Sequence, residues 1–226
     1  MSNSAPALAL RMAELARTTA MSRTPTDILD GVTAAAVELI PGVDTAGILL
    51  IKGNGFDSIA GTTKLPHQLD ELQMKYHEGP CVQAALAESV VRTDDFRYET
   101  RWPQYAPAAV EHGVLSGLSF KLYTADRTAG ALNLFGHAPR RWDAEAETIG
   151  AILAAHAAAA ILANQESTQL NAAILSRDRI GQAKGIIMER YGVDELRAFA
   201  MLKQLSQETN TKLTNIAERV IDSRET

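Results

Sequence analysis

A single cysteine, Cys81, stands in 226 residues, so the chain forms no internal disulfide and no four-cysteine zinc site. A reducing compartment is the plain expectation. Basic charge is not in excess. With 22 Lys and Arg against 27 Asp and Glu the net charge is -5, which excludes wholesale capture of nucleic acid by charge alone. Residues 165–226 hold nine basic and nine acidic side chains, so the acidity lies in the first 164 residues. No signal-peptide pattern opens the chain. The longest apolar run, residues 149–163, is short, alanine-heavy and interrupted by His156, a poor membrane span. A cytoplasmic protein with no membrane partner is expected. The five histidines, His67, His77, His112, His137 and His156, show no metal spacing. No nucleophile-elbow or phosphate-loop glycine pattern accompanies the Ser, His and Asp residues. No metal and no catalytic residue is therefore expected, the chain is not read as an enzyme, and no cofactor is assigned. A content of 46% hydrophobic and 22% charged residues leaves room for one or two domains.

What the sequence does carry is clearest in residues 176–221. Ile180, Ala183, Ile187 and Tyr191 are spaced to share one helix face, and Gly192 follows as a helix stop. Asp194 caps a second helix, with Leu196, Phe199, Ala200 and Leu202 expected inward. Ser206-Gln207-Glu208-Thr209-Asn210-Thr211-Lys212 reads as a turn and cap, because short polar side chains compete for backbone hydrogen bonds. In the third helix Leu213, Ile216, Ala217 and Val220 face inward, while Lys212, Asn215, Arg219 and Asp222 face water. Three helices of about 12 residues must pack on one another, since none holds alone in water.

Three runs here, residues 183–192, Ala198-Phe199 and residues 206–213, agree in order and spacing with a known family. The stretch resembles the ANTAR domain of bacterial transcription antitermination regulators. The resemblance implies a three-helix module that binds paired RNA hairpins in nascent transcripts and prevents a terminator from forming. With no net charge in the segment, any RNA contact must be local. The candidates are Arg177, Arg179, Lys184 and Arg190 as cationic points on the first helix, and Asn210, Thr211 and Lys212 as hydrogen-bonding groups at the second turn. The competing reading of each is a solvated surface side chain.

Upstream, residues 7–20 suggest an amphipathic opening helix through Leu8, Met12 and Leu15. Thr24-Pro25-Thr26-Asp27 starts the next helix, with a capping threonine, a proline in the first turn and an acid three residues on. Strands are expected over residues 45–52, 56–61, 90–93, 114–123 and 129–136. Gly53-Asn54-Gly55 and Asp126-Arg127 are the two hairpin turns. Short helices precede and follow Cys81, the second over residues 82–88, and Trp102-Pro103 opens another. Such interleaving marks an α+β domain with an antiparallel sheet.

Glu78-Gly79-Pro80-Cys81, residues 90–95, Arg101-Trp102-Pro103, Gly117-Leu118-Ser119-Phe120 and residues 130–135 make this region resemble the GAF sensory domains. That implies a sheet with a small-molecule pocket on one face and dimerisation through flanking helices; the ligand is unknown. Cys81 admits two readings: a low-pKa or tetrapyrrole-anchoring thiol, or a small buried hydrophobe, the commoner fate of a lone cysteine among apolar neighbours.

Ile149, Leu153, His156, Ala160, Ala163, Ser167, Leu170 and Ile174 alternate in steps of four and three, a heptad seam. The alternative is that the alanines let this helix lie against its own sheet. The expected architecture is α+β: an N-terminal helix over 1–23, an antiparallel GAF-like sheet domain with flanking helices over 24–142, a helical coiled-coil connector over 143–175, and an all-α three-helix ANTAR-like module over 176–226. The expected protein is a homodimeric regulator whose partners are tandem RNA hairpins and a small-molecule ligand. The rival reading is a DNA-binding transcription factor, since three short helices also describe a helix-turn-helix. A third is a C-terminal module that only assembles protein partners.

Overall fold

The computed structural model describes residues 4–21, 24–52, 55–86, 89–124, 127–140 and 142–223. The chain divides into two compact units, Met1–Asn164 and Gln165–Thr226. In the first, α1 (Ser4–Met21) and α2 (Pro25–Leu39) lead into a hairpin of β1 (Thr45–Lys52) and β2 (Gly55–Ile59). Pro25 sits in the first turn of α2 as expected, but Thr24 at the N-cap makes no side-chain bond to a helix amide; its hydroxyl donates to the Asp27 carboxylate at 2.6 Å instead. Then follow α3 (Leu65–Tyr76), α4 (Pro80–Leu86), β3 (Val90–Thr93), a 3-10 turn, α5 (Tyr105–Glu111), β4 (Ser116–Thr124) and β5 (Arg127–Gly136). The expected turns at Gly53-Asn54 and Asp126, and the end of the helix at Glu88, lie outside the described residues.

The strands form an antiparallel sheet in the order β2-β1-β5-β4-β3. Alternation along each strand divides the core between two faces. Ala46 and Ile48, Leu118, Phe120 and Leu122, and Leu132 and Leu134 join α2 and the long helix that follows β5 in one cluster. On the opposite face Leu49, Ala131 and Phe135 meet residues of α3, α4 and α5. Phe96, Trp102 and Tyr105 pack there at ring separations of 5.9 to 6.3 Å.

After β5 comes α6 (Ala144–Tyr191), a continuous helix of 48 residues begun by Asp143, whose side chain accepts from the Ala146 amide at 2.8 Å. The expected connector and the first of the three expected short helices are therefore one helix. No glycine-led stop or proline separates them, so nothing in the sequence obliges a break at residue 175.

The first half of the expected seam has a different partner from the one assigned to it. Ile149 and Leu153 are buried in the sheet-facing core with Ala157 and Ala158 beside them, and Ala160 is buried as well. A Cβ added at Gly150 would lie 2.3 Å from the Phe120 ring, so the small residues bring this helix down onto its own sheet. Farther along, Ala163, Ser167, Leu170 and Ile174 are exposed, and only these positions remain available to pair. By length and composition α6 also passes as a spanning segment, its most apolar window having a mean hydropathy of 1.6, but half of that window is buried in the protein.

The second unit packs the end of α6 with α7 (Glu195–Glu208) and α8 (Leu213–Asp222) around Ala183, Ile187, Ala198, Leu202, Ile216 and Ala217. Gly192 ends α6 at a φ of 62°, and Asp194 caps α7 by accepting from the Arg197 amide at 2.7 Å.

Candidate nucleic-acid interface

The core of this unit determines what its surface offers. Ala198 and Leu202, four apart, carry the buried face of α7. The small Ala198 lets the helix sit close, which turns Leu196 and Phe199 outward at 83% and 40% exposure, contrary to their expected inward placement. Ala200 is exposed as well. Tyr191, also expected inward, is 60% exposed, and Ile186 joins Ile187 in the buried set instead. The third helix follows its pattern: Ile216 and Ala217 are buried, whereas Lys212, Asn215, Arg219 and Asp222 are exposed.

On α6, Arg177 is exposed and shares an open hollow of about 750 Å³ with Gly181, Lys184 and Phe199. Lys184 donates to Glu195 on α7, and this hydrogen bond and the nearby ammonium hold the Glu195 carboxyl below its usual value. Arg179 points elsewhere and pairs with Glu218 of α8. Arg190 lines a second hollow, of about 310 Å³, with Tyr191, Leu205 and Glu208, and its guanidinium donates to the Ser223 carbonyl at 3.5 Å. Thus Arg177 and Lys184 are brought together, while Arg179 and Arg190 face other surfaces.

At the α7–α8 turn, Asn210 is exposed with a left-handed φ of 48°. Thr211 is half-buried and held on both sides. Its hydroxyl donates to the Thr209 carbonyl at 3.1 Å, and its own carbonyl accepts from the Ser206 hydroxyl at 2.6 Å. Lys212 occupies the N-cap position of α8 through its backbone, without a side-chain cap bond, which leaves its ammonium to the surface.

The first unit holds a polar cluster that hydrophobic periodicity did not point to. Asp70 is 2% exposed on the sheet-facing side of α3. Its carboxylate accepts from Ser58 at 2.6 Å, Asn133 at 3.1 Å and Gln73 at 3.3 Å. Ser119 donates to the Asn133 carbonyl at 2.8 Å, and the Cys81 amide to that of Gln73 at 2.8 Å. Burial pushes the Asp70 carboxyl up to about 7, even though these donors and His67 pull it down. Burial also raises the Cys81 thiol, and the Asp70 charge adds to it. Cys81 is therefore the small buried hydrophobe of the two readings, not a reactive thiol. The buried Tyr105 hydroxyl has no hydrogen-bond partner among the described residues. A cleft of about 420 Å³, lined by Leu49, Phe56, Ser58, Met74 and Lys75, reaches Asp70.

Comparison with known proteins separates the same two parts of the chain. A family model described as a GAF domain matches residues 22–162, and one described as an ANTAR domain matches residues 168–221. No curated protein matches the chain significantly. Among solved structures, the GAF domain of a phosphoenolpyruvate-protein phosphotransferase from Coxiella burnetii is 16% identical, covering 74% of this chain and 99% of its own, with a TM-score of 0.62. The corresponding domain from Acinetobacter is 17% identical over 75% and 99%, with a TM-score of 0.55. Free methionine-R-sulfoxide reductase from Neisseria meningitidis, solved with its substrate, is 15% identical over 74% and 95%, also at 0.55. At such identities the likeness is one of fold.

Proposed function

Because the chain belongs to the GAF domain family and carries an ANTAR domain behind that sensor, we propose that it is a cytoplasmic regulator that binds paired hairpins in nascent mRNA and keeps transcription from terminating. GAF and ANTAR are regulatory domains, so its output is read as binding rather than chemistry. The GAF domain receives a signal, a small molecule in this reading, or holds two copies together.

The observation that carries the reading is the coincidence of the ANTAR match with a separate helical unit that has its own core. That unit spends few side chains on other tasks at its surface. Arg177, Asn210 and Lys212 are exposed, and Lys184, Arg179 and Arg190 make only contacts that an incoming phosphate or base edge can compete for. Thr211 serves more to shape the turn than to contact RNA. Exposed Leu170, Ile174 and Leu175 on α6 support pairing with a second copy, which would cover them.

The test is a titration of the full chain with a twin-hairpin RNA, a scrambled RNA and duplex DNA at one salt concentration. Preference for the twin hairpin is expected. Equal binding to scrambled RNA, or tighter binding to DNA, replaces this reading with the DNA-binding alternative.

A further inference from the structure

Phe199 is an aromatic residue outside the buried core of the helical unit. Ala198 and Leu202 carry the core side of α7, and the phenyl ring, outside that core cluster, stands 40% exposed. A lone exposed apolar side chain is ordinary. This one is different in its setting, because it forms a wall of the open hollow of about 750 Å³ on α6.

Gly181 of α6 lines the same hollow. A Cβ placed on Gly181 meets nothing within 4 Å, so no neighbour in the chain requires a glycine there. Glycine inside a helix is unfavourable relative to alanine. Its effect here is to leave room beside the ring. Arg177 and Lys184, one helical turn to either side of Gly181, put two cations along the same wall, and Asp178 is the single acid among the lining residues. Lys203, four residues after Phe199 on α7, is exposed.

We propose that Phe199 is a stacking platform for one unpaired base of the bound hairpin loop, with Arg177 and Lys184 meeting the phosphates on either side of that base. The proposal rests on the RNA-binding reading and adds a base-stacking contact to it. An exposed aromatic face beside cations and open space is the chemistry that a splayed-out nucleotide recognises, since every base offers a π-face and carries its phosphates next to it. A protein partner would want a broader apolar surface with fewer charges around it.

The experiment uses the full chain and a twin-hairpin RNA carrying 2-aminopurine at successive loop positions. Phe199→Leu keeps the apolar volume of an exposed position and should leave the melting temperature unchanged, while weakening RNA binding about tenfold or more. Phe199→Trp should retain affinity. One loop position should lose aminopurine fluorescence on binding the wild-type chain and keep it with Phe199→Leu. Tyr98→Leu, at an exposed aromatic of the first unit, serves as the control and should bind as the wild type does. If Phe199→Leu binds equally well, or if it changes the mass of the assembly while RNA affinity stays constant, the stack is wrong although the RNA-binding reading stands. Wild-type protein that fails to prefer the twin hairpin removes both.

Discussion

Asn133, at the centre of the sheet, donates its side-chain amide to the carboxylate of Asp70 on α3 at 3.1 Å, a buried link between residues 63 apart in sequence. Around it the fold places a carboxyl whose titration is shifted from 3.8 to about 7, chiefly by burial.

The sign of its effect on stability follows. The folded-state value is raised above the unfolded one, so the neutral acid favours the fold. That contribution is complete below about pH 4 and is lost as pH rises through 7, at no more than about 1.4 kcal/mol per pH unit. Melting curves between pH 4.5 and 7.5 should therefore show the wild type falling relative to Asp70→Asn. Parallel curves would show that Asp70 does not titrate in this range.

Leu153 and Leu170 occupy the same heptad pattern and should behave oppositely. Leu153 is 0% exposed in the sheet-facing core, so Leu153→Glu should unfold the sensor unit at a cost of several kcal/mol. Leu170 is 63% exposed, so Leu170→Glu should leave the circular dichroism melt in place and turn dimers into monomers. Light scattering that finds an unchanged mass for Leu170→Glu rules out the α6 seam.

Gly150 should not tolerate a methyl group. Its Cβ would sit 2.3 Å from the Phe120 ring, forcing helix and sheet apart. Gly150→Ala is expected to destabilise by about 1–3 kcal/mol in denaturant titrations, whereas the same change at Gly181, which faces open space, should stabilise the helix.

Lys184 binds Glu195 at the surface, where solvent screens the pair. Lys184→Ala should shift the melting temperature little, yet weaken twin-hairpin binding and reduce the salt slope by about one phosphate's worth. Glu195→Gln frees the same ammonium and should tighten binding. If both variants bind as the wild type does, Lys184 has no RNA contact.

The architecture was legible because its signals are local. Thr24-Pro25, Gly192-Val193-Asp194 and the apolar runs of β1 and β5 state their starts and stops within a few residues. Which side of α7 faces inward was not legible, since Leu196 and Phe199 fit a helical stripe as well as Ala198 and Leu202 do. The choice is made by how closely α7 can approach α6, a tertiary distance. The Asp70 cluster escaped for a related reason. A carboxylate and an amide at positions 70 and 73 carry no burial signal of their own; Ser58 and Asn133, from two strands, donate to Asp70, and the Cys81 amide donates to Gln73. The heptad seam misled in its first half because a helix lying on a sheet and a helix lying on its twin select the same spacing.

Cys81 is fully buried between α4 and the sheet, with its thiol held protonated. Since it is the chain's one native sulfhydryl, the wild-type sequence already serves as a background for maleimide chemistry. A cysteine placed at exposed Gln182 would be the single site to accept a fluorophore or spin label, and would report RNA arriving at the α6 surface without any prior removal of native thiols.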